Sequence, residues 1–141
     1  MTGVAFQELL DGFEYASAGD QYGVEVYVHR EQGTIHIRSD GAVDGMPDPG
    51  PADLETGPYL QLPNQYDLDL GRQLAIDFMY SYLPDDVDQV YAFFRRRGAW
   101  RNFRELVEER GVLQQWYDYQ ASEKERRLRQ WCADNGIALL D

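Results

Sequence analysis

Phe6, Leu9, Leu10 and Phe13 stand at i, i+3, i+4 and i+7 within residues 4–18. That spacing draws one apolar stripe on a 3.6-residue period and predicts an amphipathic helix, with Gly19 as its stop. The period then falls to two. Val24, Val26 and Val28 alternate with Glu25, Tyr27 and His29, and after Arg30-Glu31-Gln32-Gly33 the alternation resumes with Ile35 and Ile37 between Thr34, His36 and Arg38. Pairing Val28 with Ile35 puts every β-branched apolar residue on one face of a hairpin. The same register sets Glu25 opposite Arg38 and Tyr27 opposite His36, and a slip of one residue would mix the faces.

Gly, Pro and acidic residues crowd residues 40–58, the composition of a long loop. Tyr59 to Pro63 reads as a third short strand, with Pro63 at its end. The helical period then returns. Asp69 is placed as the cap of a helix carrying Leu74, Phe78, Tyr82 and Leu83. Pro84-Asp85-Asp86 opens another, with Val87, Val90, Tyr91 and Phe94 inward, and Gly98 breaks it. A third runs from about Ala99 to Arg110 on a stripe of Trp100, Phe103, Leu106 and Val107. The last covers roughly 112–135, with Leu113, Trp116, Tyr117, Leu128, Trp131 and Cys132 as its apolar contacts. Asn135-Gly136 stops it, and Ile137 to Leu140 form an apolar tail expected to dock. The expected fold is α+β: an N-terminal helix, a small antiparallel three-stranded sheet, then a C-terminal bundle of about four helices. A chain of 141 residues fits one such domain.

Charge changes this picture more than composition does. The net charge is −12, but residues 1–90 hold three Arg against seventeen acids, and residues 91–141 hold ten basic residues against eight acids. An acidic first part precedes a nearly balanced second. The overall field opposes indiscriminate binding to nucleic acid or an anionic membrane and leaves room only for a local basic patch. No apolar run approaches a bilayer's span and no signal-peptide pattern opens the chain, so a cytoplasmic protein is the expectation.

The single cysteine, Cys132, excludes an internal disulfide and reads as packing on a helix face. His29 and His36 share the polar face of the hairpin with Glu25, the ingredients of a metal site, but Glu25 already faces Arg38. Exposed hairpin residues are the expectation for both. Asp40, Asp44 and Asp48 lack the alternate-position oxygens of a calcium loop. Asp85, Asp86 and Asp88 fall at a helix start, where negative charge caps and complements the helix dipole. No cofactor motif and no catalytic constellation is read, and a carboxylate-based or metal-dependent enzyme stays a lesser alternative.

The densest signal is Arg95-Arg96-Arg97-Gly98-Ala99-Trp100-Arg101-Asn102-Phe103-Arg104. Five guanidinium groups around a helix start suit a phosphate, an acidic protein segment or a nucleic-acid backbone. The competing account is internal: positive charge favours the end of the preceding helix, and Arg101 and Arg104 can pair with Glu105 and Glu108. Trp116, Tyr117 and Tyr119 are candidate interface aromatics. Glu123 to Arg127 and Glu125 to Arg129 are i,i+4 pairs on a solvated helix face.

Several of these residues occur in a particular order: Phe6-x-x-Leu9-Leu10-x-x-Phe13, Gly33 at the hairpin turn, Leu62-Pro63 and Phe78. Gly98-Ala99-Trp100-x-x-Phe103, Gly111, Trp116-Tyr117, Trp131 and Gly136-Ile137 follow. The ordered set resembles the bacterial Uncharacterised Protein Family zero-one-five-eight over nearly the whole chain. That family more usually carries Phe where Trp100 stands and Lys where Arg104 stands. The resemblance implies a small bacterial α+β domain and no activity or catalytic residue. The functional expectation is therefore a non-enzymatic protein-binding or regulatory module. The alternative is anion binding, to a phosphorylated ligand or nucleic-acid phosphate, at Arg95, Arg96, Arg97, Arg101 and Arg104.

Overall fold

The alternating valines form β1 (Val24–His29), which pairs antiparallel with β2 (Ile35–Ser39). Val28 faces Ile35, Val26 faces Ile37 and Glu25 faces Arg38, the register that the alternation predicts. Glu25 and Arg38 form an ion pair, and Arg38 also donates to the Tyr27 hydroxyl at 3.0 Å. A third strand, β3 (Tyr59–Gln61), pairs antiparallel with the other edge of β1, so the strand order is β2-β1-β3. Pro63 lies just past that strand, where its missing N–H interrupts no ladder. The computed structural model describes residues 3–19, 23–39, 41 and 48–140.

Helix α1 (Phe6–Gly19) buries Phe6, Leu9, Gly12, Phe13 and Ala16. Two glycines let it approach the sheet closely. A Cβ on Gly12 would meet Leu62 at 2.9 Å and Val26 at 3.4 Å, and one on Gly19 would meet Val24 at 2.7 Å. The helix starts two residues after the predicted position because the backbone of Val4 is used elsewhere. Its N–H donates to the Ala138 carbonyl and its carbonyl accepts from Leu140, both at 3.0 Å. The C-terminal tail thus docks as predicted, with Ile137 buried.

The helical half comprises α2 (Arg72–Tyr82), a single 3-10 turn (Pro84–Asp86), α3 (Val87–Phe93), α4 (Ala99–Glu109) and α5 (Leu113–Asp134). The α+β architecture is as expected. Asp69 does not cap α2. It sits in the left-handed region at φ 55°, and Gly71 precedes the first helical turn without a side-chain cap. Leu83 and Phe94, expected on helix faces, are the C-terminal caps of α2 and α3.

The chain forms two compact units, Met1–Leu68 with Arg127–Asp141, and Asp69–Arg126. The first contains α1, the sheet and the last turns of α5. Its core includes Val4, Leu9, Phe13, Val26, Val28, Leu62, Leu128 and Cys132. The Arg127 guanidinium donates to the Leu68 carbonyl at 2.6 Å, joining the two chain segments of that unit. The second unit has its own core of Leu74, Ile76, Phe78, Met79, Val90, Phe103, Leu106, Val107 and Trp116. No helix among the described residues is long and apolar enough to cross a membrane.

Candidate functional site

The arginine cluster lies at the junction of α3 and α4, inside the second unit. After α3 the chain makes a tight turn, with Arg95 N–H donating to the Ala92 carbonyl and Arg96 N–H to the Phe93 carbonyl. Gly98 then takes the left-handed conformation (φ 75°, ψ 20°) and precedes α4 without any side-chain cap. A residue with a side chain strains at this φ, so glycine suits the reversal. The turn leaves Arg95, Arg96 and Arg97 exposed, and Arg101 and Arg104 are exposed along α4.

The internal pairing that would have absorbed these charges is largely absent among the described residues. Arg101 approaches Glu105 at 3.8 Å, at the outer limit of an ion pair between two well-exposed side chains. Such a contact contributes about 0–1 kcal/mol. Arg95, Arg96, Arg97 and Arg104 make no side-chain hydrogen bond or ion pair among the described residues. Helix α4 does bury Phe103, Leu106 and Val107, as its period predicts.

Trp100 departs from the expected core position and is 47% exposed. Its ring stands edge-on to Phe94 at 5.1 Å and to Phe103 at 5.9 Å, and lies 6.4 Å from Trp116. It is the outer member of an aromatic group that continues inward through Phe103 and Trp116 to Phe78. The three candidate interface aromatics separate. Trp116 is only 4% exposed, within contact of Phe78 and Phe103. Tyr119 is half-buried, 5.5 Å from Phe78. Tyr117, expected as an apolar contact of the last helix, is 43% exposed. A buried Trp116 supports the fold; of these four aromatics, Trp100 and Tyr117 are the ones that solvent, and hence a partner, can reach.

The remaining candidates resolve into structural roles. His29 is buried rather than exposed, and its Nδ1 accepts the backbone N–H groups of Glu31 and Gln32 at 3.2 and 3.0 Å. The Tyr59 ring stands edge-on to both His29 and His36, at 4.9 and 5.3 Å. No three His, Cys, Asp or Glu side chains among the described residues are placed to hold an ion. Asp40 and Asp44 lie outside the described residues. Asp48 bridges to Ser39 through its backbone and accepts the Gly50 N–H at 2.9 Å.

At the start of α3, Asp86 does not cap. It pairs with Arg110 at 3.0 Å, and hydrogen bonding to that guanidinium holds its carboxyl below the usual range. Arg126 pairs with Glu123 at 2.6 Å on the solvated face of α5. Arg129 lies over the Phe6 ring at 4.3 Å, a cation–π contact within the first unit. Cys132 is buried, and desolvation pushes its thiol up to about 11. That leaves it protonated and unsuited to nucleophilic attack at neutral pH.

Comparison of the chain with protein-family models, with curated proteins and with solved structures finds no match.

Proposed function

We propose that the chain is a non-enzymatic protein-binding or regulatory module that engages an acidic partner through the surface from Arg95 to Arg104. One observation carries this reading: four of the five arginines are exposed and have no carboxylate partner among the described residues. They pair with no carboxylate among the described residues, so their charge is available to a ligand. Trp100 stands half-exposed among them, and Trp and Arg are the side chains most often found as interface anchors. The net charge of −12 works against a polyanion as dense as nucleic acid, whereas a short acidic protein segment meets the local patch with less repulsion from the rest of the chain. The family resemblance assigns no activity and leaves this reading unchanged.

The test is fluorescence anisotropy of a labelled glutamate-rich peptide, with wild type beside an Arg96→Ala/Arg97→Ala/Arg101→Ala variant. Wild type binds, the variant loses binding, and affinity falls as salt rises. Equal binding by the two proteins removes the arginines from the reading. Tighter binding of a single-stranded oligonucleotide than of the peptide replaces the protein partner with a nucleic acid. The uncapped start of α4 favours a second reading, capture of a phosphate group by backbone N–H groups and Arg101. Displacement of the peptide by inorganic phosphate at low millimolar concentration would support that reading.

A further inference from the structure

The face of the sheet that meets α1 is not evenly covered. Val24, Val26 and Val28 of β1 are buried there, but on β2 Ile35 is only half-buried and Ile37 is 38% exposed. The result is a groove of about 670 Å³ within the first unit. Its floor includes Ile35 and Ile37, and its helical wall carries Glu8, Asp11 and Tyr15. Those three stand three and four residues apart, on one stripe of α1. Neither Glu8 nor Asp11 has a cationic partner among the described residues; Asp11 accepts only the Gln7 amide at 2.9 Å.

Charge selects what this groove can accept. The first unit contains four basic residues against fourteen acidic ones, and no cationic side chain among the described residues lines the groove. Arg38, adjacent to Ile37 in sequence, points to the other face of the strand and is held by Glu25. An anionic ligand would meet unrelieved repulsion. An apolar group flanked by cations would cover Ile35 and Ile37 and neutralise both carboxylates.

Length and openness select its source. Strand β2, Ile35–Ser39, extends about 13 Å at ~3.3 Å per residue, room for some four residues of extended chain beside it. Small-molecule pockets bury most of their ligand. Here Ile37 and Tyr15 open to solvent, which suits a segment of a larger partner. We infer that the groove between α1 and β2 docks an extended segment of a partner protein in which isoleucine- or valine-type side chains alternate with lysine or arginine. This site belongs to the first unit and the arginine surface to the second, and their charges are opposite in sign.

The probe is a fluorescein-labelled pentapeptide alternating lysine and isoleucine, titrated by anisotropy. Controls are a lysine–serine and a glutamate–isoleucine pentapeptide, with butylammonium as a small competitor. Wild type should bind the lysine–isoleucine peptide and neither peptide control. Ile37→Ser should weaken binding about tenfold through lost apolar contact. Glu8→Gln/Asp11→Asn should weaken it about fivefold, with a shallower salt dependence. All these positions are solvent-exposed, and circular dichroism checks that each variant folds. Equal binding of the lysine–serine peptide, or full affinity in Ile37→Ser, would show attraction by bulk charge and overturn the proposal. Absence of binding would overturn it as well. Displacement by butylammonium at concentrations matching the peptide's own affinity would make the occupant a small amine. The Arg96→Ala/Arg97→Ala/Arg101→Ala variant should bind this peptide unchanged, so the two sites succeed or fail separately.

Discussion

Replacing Gly33 by alanine tests how the hairpin turn is locked to the chain beside it. Gly33 has φ +72°, and a Cβ there would lie 2.1 Å from the Gly3 carbonyl oxygen and 2.9 Å from the Val4 nitrogen. Both neighbours are backbone and cannot swing aside. The left-handed conformation alone costs an L-residue about 1–2 kcal/mol, part of which is offset because alanine has less freedom than glycine to lose on folding. The clash adds more. Relieving it requires the Gly3–Val4 segment to move by roughly 1 Å, since carbon and oxygen make contact at about 3.2–3.5 Å. Val4 is tied by two backbone hydrogen bonds to Ala138 and Leu140, and losing both costs about 1–3 kcal/mol. The expected total is about 3 kcal/mol. Gly136 supplies the internal control in the same unit: its φ is +70°, and no described atom lies within 4 Å of the position a Cβ would take. Gly136→Ala should cost only about 1 kcal/mol. Urea denaturation of the two variants, followed by circular dichroism, measures the difference. Equal losses would show that the N-terminal segment does not pack on the turn, and the reasoning would fail.

Three further outcomes follow from the packing and the ion pairs. His29→Phe keeps the ring contact with Tyr59 but removes the acceptor for Glu31 and Gln32, so it should lose about 1–2 kcal/mol in urea denaturation; wild-type stability would mean that the two turn hydrogen bonds contribute nothing. Because Asp86 has its pKa lowered by Arg110, its pairing stabilises above the ordinary carboxylate range and is lost as pH falls below it. Asp86→Asn should therefore lower the Tm at pH 7 and make little difference near pH 2, and a constant gap across that range would contradict the assignment. Cys132 should stay unreactive towards a disulfide reagent at pH 8 in the native protein and react promptly in urea; fast native reaction would mean that this face of α5 opens.

The sequence by itself determined what depends on short-range period. Alternation of apolar residues dictated the β1–β2 register, and with it the Glu25–Arg38 pair, because a strand's faces repeat every two residues. Helical period located α1, α4 and α5 to within a residue or two at each end, and Gly98, Gly111 and Gly136 marked reversals that require positive φ. The arginine run was visible as residues, but whether those charges were free was not.

Tertiary structure decided depth, partners and caps. Trp100 and Phe103 share one helical stripe, yet only Phe103 is buried; period assigns a face and says nothing of what covers it. His29 falls among the polar positions of β1, alternating with its valines, but β3 pairs along that strand and brings Tyr59 against it, a contact set by residues thirty positions away. Asp69 and Asp86 have the side chains of helix caps, and capping preference is local. The path of the chain put Asp69 in a left-handed turn and gave Asp86 to Arg110 instead. Nothing in the period of the sequence marked the groove. It exists because α1, drawn close at Gly12, leaves Ile37 open, and burial of this kind depends on residues far apart in the chain.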